Sequence, residues 1–171
     1  TCSFFRPGTD EVLFATSHLD KEARAKQKAE LDFRASGKSR RYSWDYDVHM
    51  DIFSTKRDGS NLKRLTSAMG YDAEGGYSPD GKKVVFCSIR DAYGKAILTD
   101  KEKARLKMDA SYFAELYIMN ADGSNQKRLT FLPGYDGGPF FSPDGKRIIW
   151  RHFTEKGDTA DIFTIKTDGT D

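Results

Sequence analysis

Tyr135–Gly145 reads YDGGPFFSPDG, and nearly the same words stand earlier at Tyr71–Gly81 as YDAEGGYSPDG. A shortened third copy, SFFRPG, occupies Ser3–Gly8. Each copy runs into an apolar stretch: DEVLFATS, KKVVFCSIRD and KRIIWRHF. An aromatic-bearing segment ending in Asp-Gly follows in all three cases, MDIFSTKRDG, AELYIMNADG and ADIFTIKTDG. In the first two it leads to a fourth unit, NLKRLTS or NQKRLTF. The chain is therefore a repeat of four short segments, a to d.

The spacing identifies the unit. Asp58 to Pro79 and Asp122 to Pro143 are each 21 residues, whereas Pro7 to Asp58 is 51, Pro79 to Asp122 is 43 and Pro143 to Asp168 is 25. Only the b–c joint varies. The minimal period is 21 + 25 = 46, with inserts of 51 − 25 = 26 and 43 − 25 = 18 residues in the first two copies. Four short strands in a period of that size make one propeller blade. The turns fit: Pro79-Asp80-Gly81 and Pro143-Asp144-Gly145 preset φ at Pro and supply a left-handed residue at Gly, joining a to b. Asp58-Gly59, Asp122-Gly123 and Asp168-Gly169 read as two-residue c–d hairpin tips with positive φ at both positions. Val84–Cys87 and Ile148–Trp150 are continuously apolar, as expected of strands covered on both faces.

SPDGKKVVF, ELYIMNADGSNQKRLT and SPDGKRIIW resemble the β-propeller repeats of the TolB family, over essentially the whole chain. The resemblance implies a six-bladed all-β propeller, a place in the bacterial periplasm or envelope, and a role as a protein-interaction scaffold. Similar blades precede the hydrolase domain of prolyl-oligopeptidase-like peptidases. The expected organisation is about three four-stranded blades: 1–66 with a helical insert at 19–46, 71–130 with a helical insert at 92–113, and an incomplete third blade at 135–171. The chain opens inside strand a without Met or a signal peptide and stops before its last strand d, so it reads as an excised segment. Further blades or a second copy are then needed to close the ring.

Composition excludes several classes. Lys+Arg 28 against Asp+Glu 26 leaves +2, so no charge excess points to nucleic acid or an anionic membrane. No run of about 18 apolar residues is present for a membrane span. Cys2 and Cys87 cannot build a disulfide framework, and Cys87 reads as a small buried hydrophobe.

In the first insert Asp20 is a candidate N-cap and Gly37 a candidate stop, with Ala23, Gln27, Leu31 and Arg34 as the inward face. Its tail, Arg40-Arg41-Tyr42 with Trp44 and Tyr46, has the composition of an interface. Thr99-Asp100-Lys101-Glu102 spells a capping box in the second insert. Both inserts leave the b–c joint, so they should form one raised rim.

There is no GxSxG elbow, P-loop, HExxH or CxxC. His18, His49 and His152 lack a third ligand at zinc spacing. The recurring Tyr71-Asp72 and Tyr135-Asp136, with Glu74, lie where d leads into the innermost strand, near the channel mouth. A ring of carboxylates there would suit a hard cation such as Ca²⁺, whereas Asp residues capping their own turns need no ligand and no cofactor. Three functions follow in order: a non-catalytic protein- or peptide-binding scaffold, a substrate-gating propeller of a peptidase whose hydrolase domain lies elsewhere, and a metal-assisted lyase or glycan-acting propeller.

Overall fold

The computed structural model describes residues 2–40, 44–94 and 98–170. The first sheet runs β1 (Ser3–Phe5), β2 (Glu11–Thr16), β3 (Asp51–Lys56), β4 (Lys63–Arg64), in that spatial order. The second repeats it with β5 (Asp72–Tyr77), β6 (Lys83–Ser88), β7 (Glu115–Asn120) and β8 (Lys127–Arg128). The third contains β9 (Tyr135–Phe141), β10 (Arg147–Phe153) and β11 (Ala160–Lys166). Every pairing is antiparallel between chain neighbours, as in a propeller blade.

The core lies between the sheets. Leu13, Ile52 and Leu65 of the first sheet meet Val84, Phe86, Tyr117 and Met119 of the second. Val85, Leu116, Ile118 and Leu129 on the second sheet's other face meet Ile148 and Trp150 of the third. Successive side chains of β6 thus enter different cores, and for this reason its apolar run is unbroken. The parallel reading of Ile148–Trp150 holds on one face only. Ile148 and Trp150 are buried, but Ile149 is 42% exposed because no sheet among the described residues covers that side.

The KRLT words of the fourth unit have a common physical use. In the first sheet the Arg64 guanidinium pairs with Asp51 at the start of β3, and the Thr66 hydroxyl donates to Asp51 Oδ1 at 3.1 Å while accepting the N–H of Ile52 at 2.9 Å. In the second sheet Arg128 pairs with Glu115, and Thr130 donates to Glu115 Oε2 at 2.7 Å while accepting from Leu116 N–H at 2.9 Å. Arg and Thr therefore clamp the acid that opens strand c, and the Leu between them fills the core. Despite its arginine, burial pushes the Glu115 carboxyl up to about 8.

The a–b turns carry positive φ at Gly8, Gly81 and Gly145 as expected. The c–d turns differ from the expected two-residue form. Positive φ falls on Gly59 and Asn61, and on Gly123 and Asn125, and not on the aspartates. Asp58 and Asp122 instead accept the N–H two residues on, at 2.9 Å each, forming Asx turns in longer loops.

The inserts are helical. α1 (Ala23–Ala35) begins after Glu22, not Asp20; Asp20 accepts the Glu22 N–H at 2.9 Å, one turn ahead of the helix proper. Its half-buried positions are Ala23, Glu30 and Phe33, whereas Leu31 is 58% exposed, so the expected inward face is rotated. Ion pairs decide this: Lys26 reaches Asp20 at 2.7 Å and Asp47 at 3.0 Å. α2 (Asp100–Met108) starts on the full Thr99/Glu102 capping box. Cys2 and Cys87 are unpaired, one exposed and one buried.

Candidate functional site

The b–c ends of the three sheets and both inserts border one cleft of about 620 Å³. Its floor is made by a bulge in β5 between Ala73 and Gly76, where Glu74 adopts φ 58° and its carboxylate turns toward the third sheet. Tyr135 Oη–H donates to both Glu74 oxygens at 2.8 and 2.9 Å, and the Gly138 N–H donates at 2.5 Å. Trp44 Nε1–H donates to Tyr71 Oη at 3.0 Å, and Tyr71 in turn donates to Glu74 at 3.4 Å. One carboxylate thereby ties two sheets and the first insert together. Burial holds the Tyr46, Tyr71 and Tyr135 hydroxyls far above the ordinary tyrosine range, so all three remain protonated donors.

The walls are aromatic and cationic. Arg151 lies 5.0 Å from the Phe153 ring centre and 5.9 Å from that of Tyr135. Opposite, Arg105 of α2 stacks 4.6 Å from Tyr112 and donates to the Glu155 carbonyl at 2.9 Å. Trp44 is 45% exposed. No histidine lines the cleft among the described residues, and no three His, Cys, Asp or Glu side chains group to hold a metal ion. The chemistry offered is stacking, apolar contact and charge-assisted hydrogen bonding.

The residues singled out in the sequence divide. Tyr71, Glu74 and Tyr135 converge in the hydrogen-bond network, and Trp44 and Tyr46 line the cleft. Asp72 and Asp136 lie beneath it with no exposed surface. Asp72 accepts from Ser88 at 2.6 Å and from Arg90 at 2.6 and 3.2 Å; Asp136 accepts from Trp150 Nε1 at 2.9 Å and faces His152 Nδ1 at 2.6 Å. Arg40 is turned away, paired with Glu30 and stacked 4.8 Å from Phe33. Arg41 and Tyr42 lie outside the described residues. His18 rests on Phe53, ring centres 4.7 Å apart.

Arg105, Tyr112, Arg151 and Phe153 are the wall residues that sequence reading passed over. Arg151 and Phe153 sit within the KRIIWRHF repeat, where Cys87 and Ile89 stand in the second copy. A polar departure from an apolar repeat position was the available signal.

No protein-family model matches the chain. The TolB homolog of Chlorobium chlorochromatii is 28% identical over 124 residues, which cover 58% of this chain and 28% of that protein. The uncharacterized peptidase YuxL of Bacillus subtilis is 29% identical over 121 residues, covering 68% of this chain and 14% of the relative. The chain thus spans well under a third of either. Among solved structures, TolB from Acinetobacter baumannii superposes with a TM-score of 0.54 at 19% identity, over 99% of this chain and 32% of that one. At that identity the superposition speaks for the fold, and it extends over both inserts and all three sheets.

Proposed function

The chain belongs to the TolB-like β-propeller family, and on that premise we propose that it is a non-catalytic scaffold holding a protein or peptide in the cleft at its b–c end. The observation that carries this is the cleft's construction. Glu74 is saturated by Tyr135, Gly138 and Tyr71, which makes the floor rigid, while Trp44, Tyr112 and Phe153 offer aromatic surface around it. Rigid aromatic anchors beside arginines are the usual composition of a peptide-recognition hot spot. The family resemblance supports an exported protein of the bacterial envelope. It also supports a ring completed by further blades or by a second copy.

A second reading, a substrate-gating propeller attached to a peptidase, rests on the similarity to YuxL. A G-x-S-x-G elbow in the reading frame beyond this chain would favour it.

The binding reading is tested by fluorescence anisotropy of the full chain against a panel of labelled peptides. Selected peptides should bind with micromolar affinity, and Trp44→Ala with Tyr112→Ala should weaken them by about 10-fold or more in a protein that still unfolds cooperatively. A parent protein that binds none of the panel, or a double variant that binds equally well, refutes the cleft as the site.

A further inference from the structure

We propose that the joint between the second and third sheets binds an arginine side chain of a partner polypeptide, in the place that Arg6 fills between the first and second sheets. The site lies among the a–b and c–d turns, at the other end of the sheets from the cleft, and stands independently of the scaffold reading.

Two joints of one repeat can be compared residue by residue. Phe5, Tyr77 and Phe141 end strand a opposite Val12, Val84 and Ile148, so Arg6, Ser78 and Ser142 occupy the next place. In the first joint the Arg6 side chain crosses to the second sheet. Its Nε–H donates to the Gly81 carbonyl at 2.8 Å, its Nη1 pairs with Glu11 at 2.6 Å, and its guanidinium carbon lies 5.9 Å from the centre of the Tyr77 ring. The stem passes so close that a Cβ at Gly81 would sit 3.3 Å from Arg6 Cγ. Arginine thereby plugs the gap between two turns.

The second joint keeps the frame and lacks the plug. Asn61 and Asn125 hold the same left-handed backbone in the c–d turns, at φ 56° and 54°. Lys63 and Lys127 stand at one place in strand d, opposite Ser54 and Ile118. Ser78, however, is too short to cross. Its hydroxyl turns back into its own loop, donating to Asp80 Oδ1 at 2.6 Å and accepting the Lys83 N–H at 2.9 Å. What remains is a pocket of about 310 Å³ against Phe141, Ile118 and Pro79, rimmed by Gly145, Asp80 and Asp168. Both walls are described sheets, so no further blade bears on it.

The lining offers what a guanidinium needs. Phe141 takes the place of Tyr77 as the flat ring, and Gly145 takes the place of Gly81 as the source of a carbonyl acceptor. The acid changes position. Lys83 holds the register place of Glu11, but its ammonium is drawn off to Asn120 Oδ1 at 2.7 Å. Lys127 likewise donates to the Asp168 carbonyl at 2.7 Å. Carboxylates come instead from Asp168 and from Asp80, a residue that the shortened first turn, Pro7-Gly8, does not have. Arginine suits such a pocket better than lysine, because its planar head stacks on a ring while its N–H groups reach acceptors in the plane. Its aliphatic stem would lie over Ile118 and Pro79.

Amide-resolved NMR of the full chain tests this with the blocked peptide Gly-Arg-Gly as probe. Its addition should shift the amides of Asn125, Gly145 and Asp168 together, with Gly-Lys-Gly weaker and Gly-Glu-Gly without effect. Lys83→Glu, at an exposed position, restores the acid of the first joint and should tighten the arginine peptide about 5-fold. Asp80→Asn with Asp168→Asn keeps both turn caps and should weaken it by about the same factor. Arg6→Ser should open the first joint as well, so that the Gly81 amide joins those that shift. Amides unmoved by Gly-Arg-Gly, or a tighter response to Gly-Glu-Gly, would overturn the assignment; the second result would make Lys83 and Lys127 the site. Should the double asparagine variant fail to fold, Lys83→Glu decides alone, and unchanged or weaker arginine binding there refutes the proposal. Trp44→Ala with Tyr112→Ala should leave the Gly145 shift intact, so failure of the cleft and failure of this pocket are read separately.

Discussion

Replacing Thr130 by Val tests whether the KRLT words exist to satisfy buried polar groups. Thr130 is 5% exposed, and its hydroxyl serves two buried partners, accepting from Leu116 N–H at 2.9 Å and donating to Glu115 Oε2 at 2.7 Å. Val has nearly the same shape, so packing is preserved and the polar loss is isolated. Each stranded partner costs about 1–3 kcal/mol. With relaxation shared between two neighbouring groups, the expected destabilisation is about 3–4 kcal/mol, a large part of the roughly 5–15 kcal/mol that holds a domain together. Thr130→Ser keeps both hydrogen bonds and removes one methyl group, costing about 1 kcal/mol. Urea unfolding at one fixed protein concentration, followed by tryptophan fluorescence, measures both, since Trp150 lies in the adjoining core. In a thermal scan the Val variant should melt about 6–14 °C below the parent. If Val and Ser variants lie within about 0.5 kcal/mol of each other, the clamp is not what positions strand d, and the account of KRLT fails.

Asp72→Asn should destabilise by about 3 kcal/mol, because it leaves Arg90, with only 12% of its side chain exposed, without its counter-charge; a near-neutral urea midpoint would return Asp72 to a simple turn-capping role. The Glu115 carboxyl titrates near 8 in the folded protein and near 4.5 in the unfolded chain, so the native state binds the extra proton. Stability from this group is therefore full below about 4.5 and declines as pH rises to about 8; Glu115→Gln should flatten that decline, and an unchanged slope in urea melts would contradict it. Gly134→Ala should cost about 3 kcal/mol or more, since Gly134 has φ 127° and a Cβ there would sit 2.1 Å from the Phe153 carbonyl, whereas Gly157→Ala, at φ 69° with open space, should cost only about 1; equal melting points would refute the close approach. Tyr135→Phe should lower stability by about 1–2 kcal/mol and loosen the cleft floor, seen as faster hydrogen exchange at Gly138.

Much of the fold was legible because propeller blades are assembled from local features. Turn chemistry at Pro-Asp-Gly, short unbroken apolar runs and a recurring 46-residue period all act within one blade, and each leaves a mark on neighbouring letters. The strands β1 to β11 fall where the repeated words place them. The capping box at Thr99 was readable for the same reason, since both partners stand three residues apart.

What the sequence could not rank was the use of its repeated acids. Asp72, Glu74 and Asp136 stand in or beside the same Tyr-Asp word, yet two are buried under ion pairs or ring N–H groups and only Glu74 reaches the cleft. The difference is a backbone bulge at φ 58° that points Glu74 across to Tyr135, 61 residues away. Likewise Arg105 and Arg151 become walls of one cleft only when an insert of the second sheet is laid over the end of the third. Composition, repeat period and turn type determined that this protein is built of blades, since those depend on contacts a few residues apart. The tertiary structure alone decided which carboxylate meets which donor and which blade face meets water, because such pairings join residues that the chain separates by whole blades.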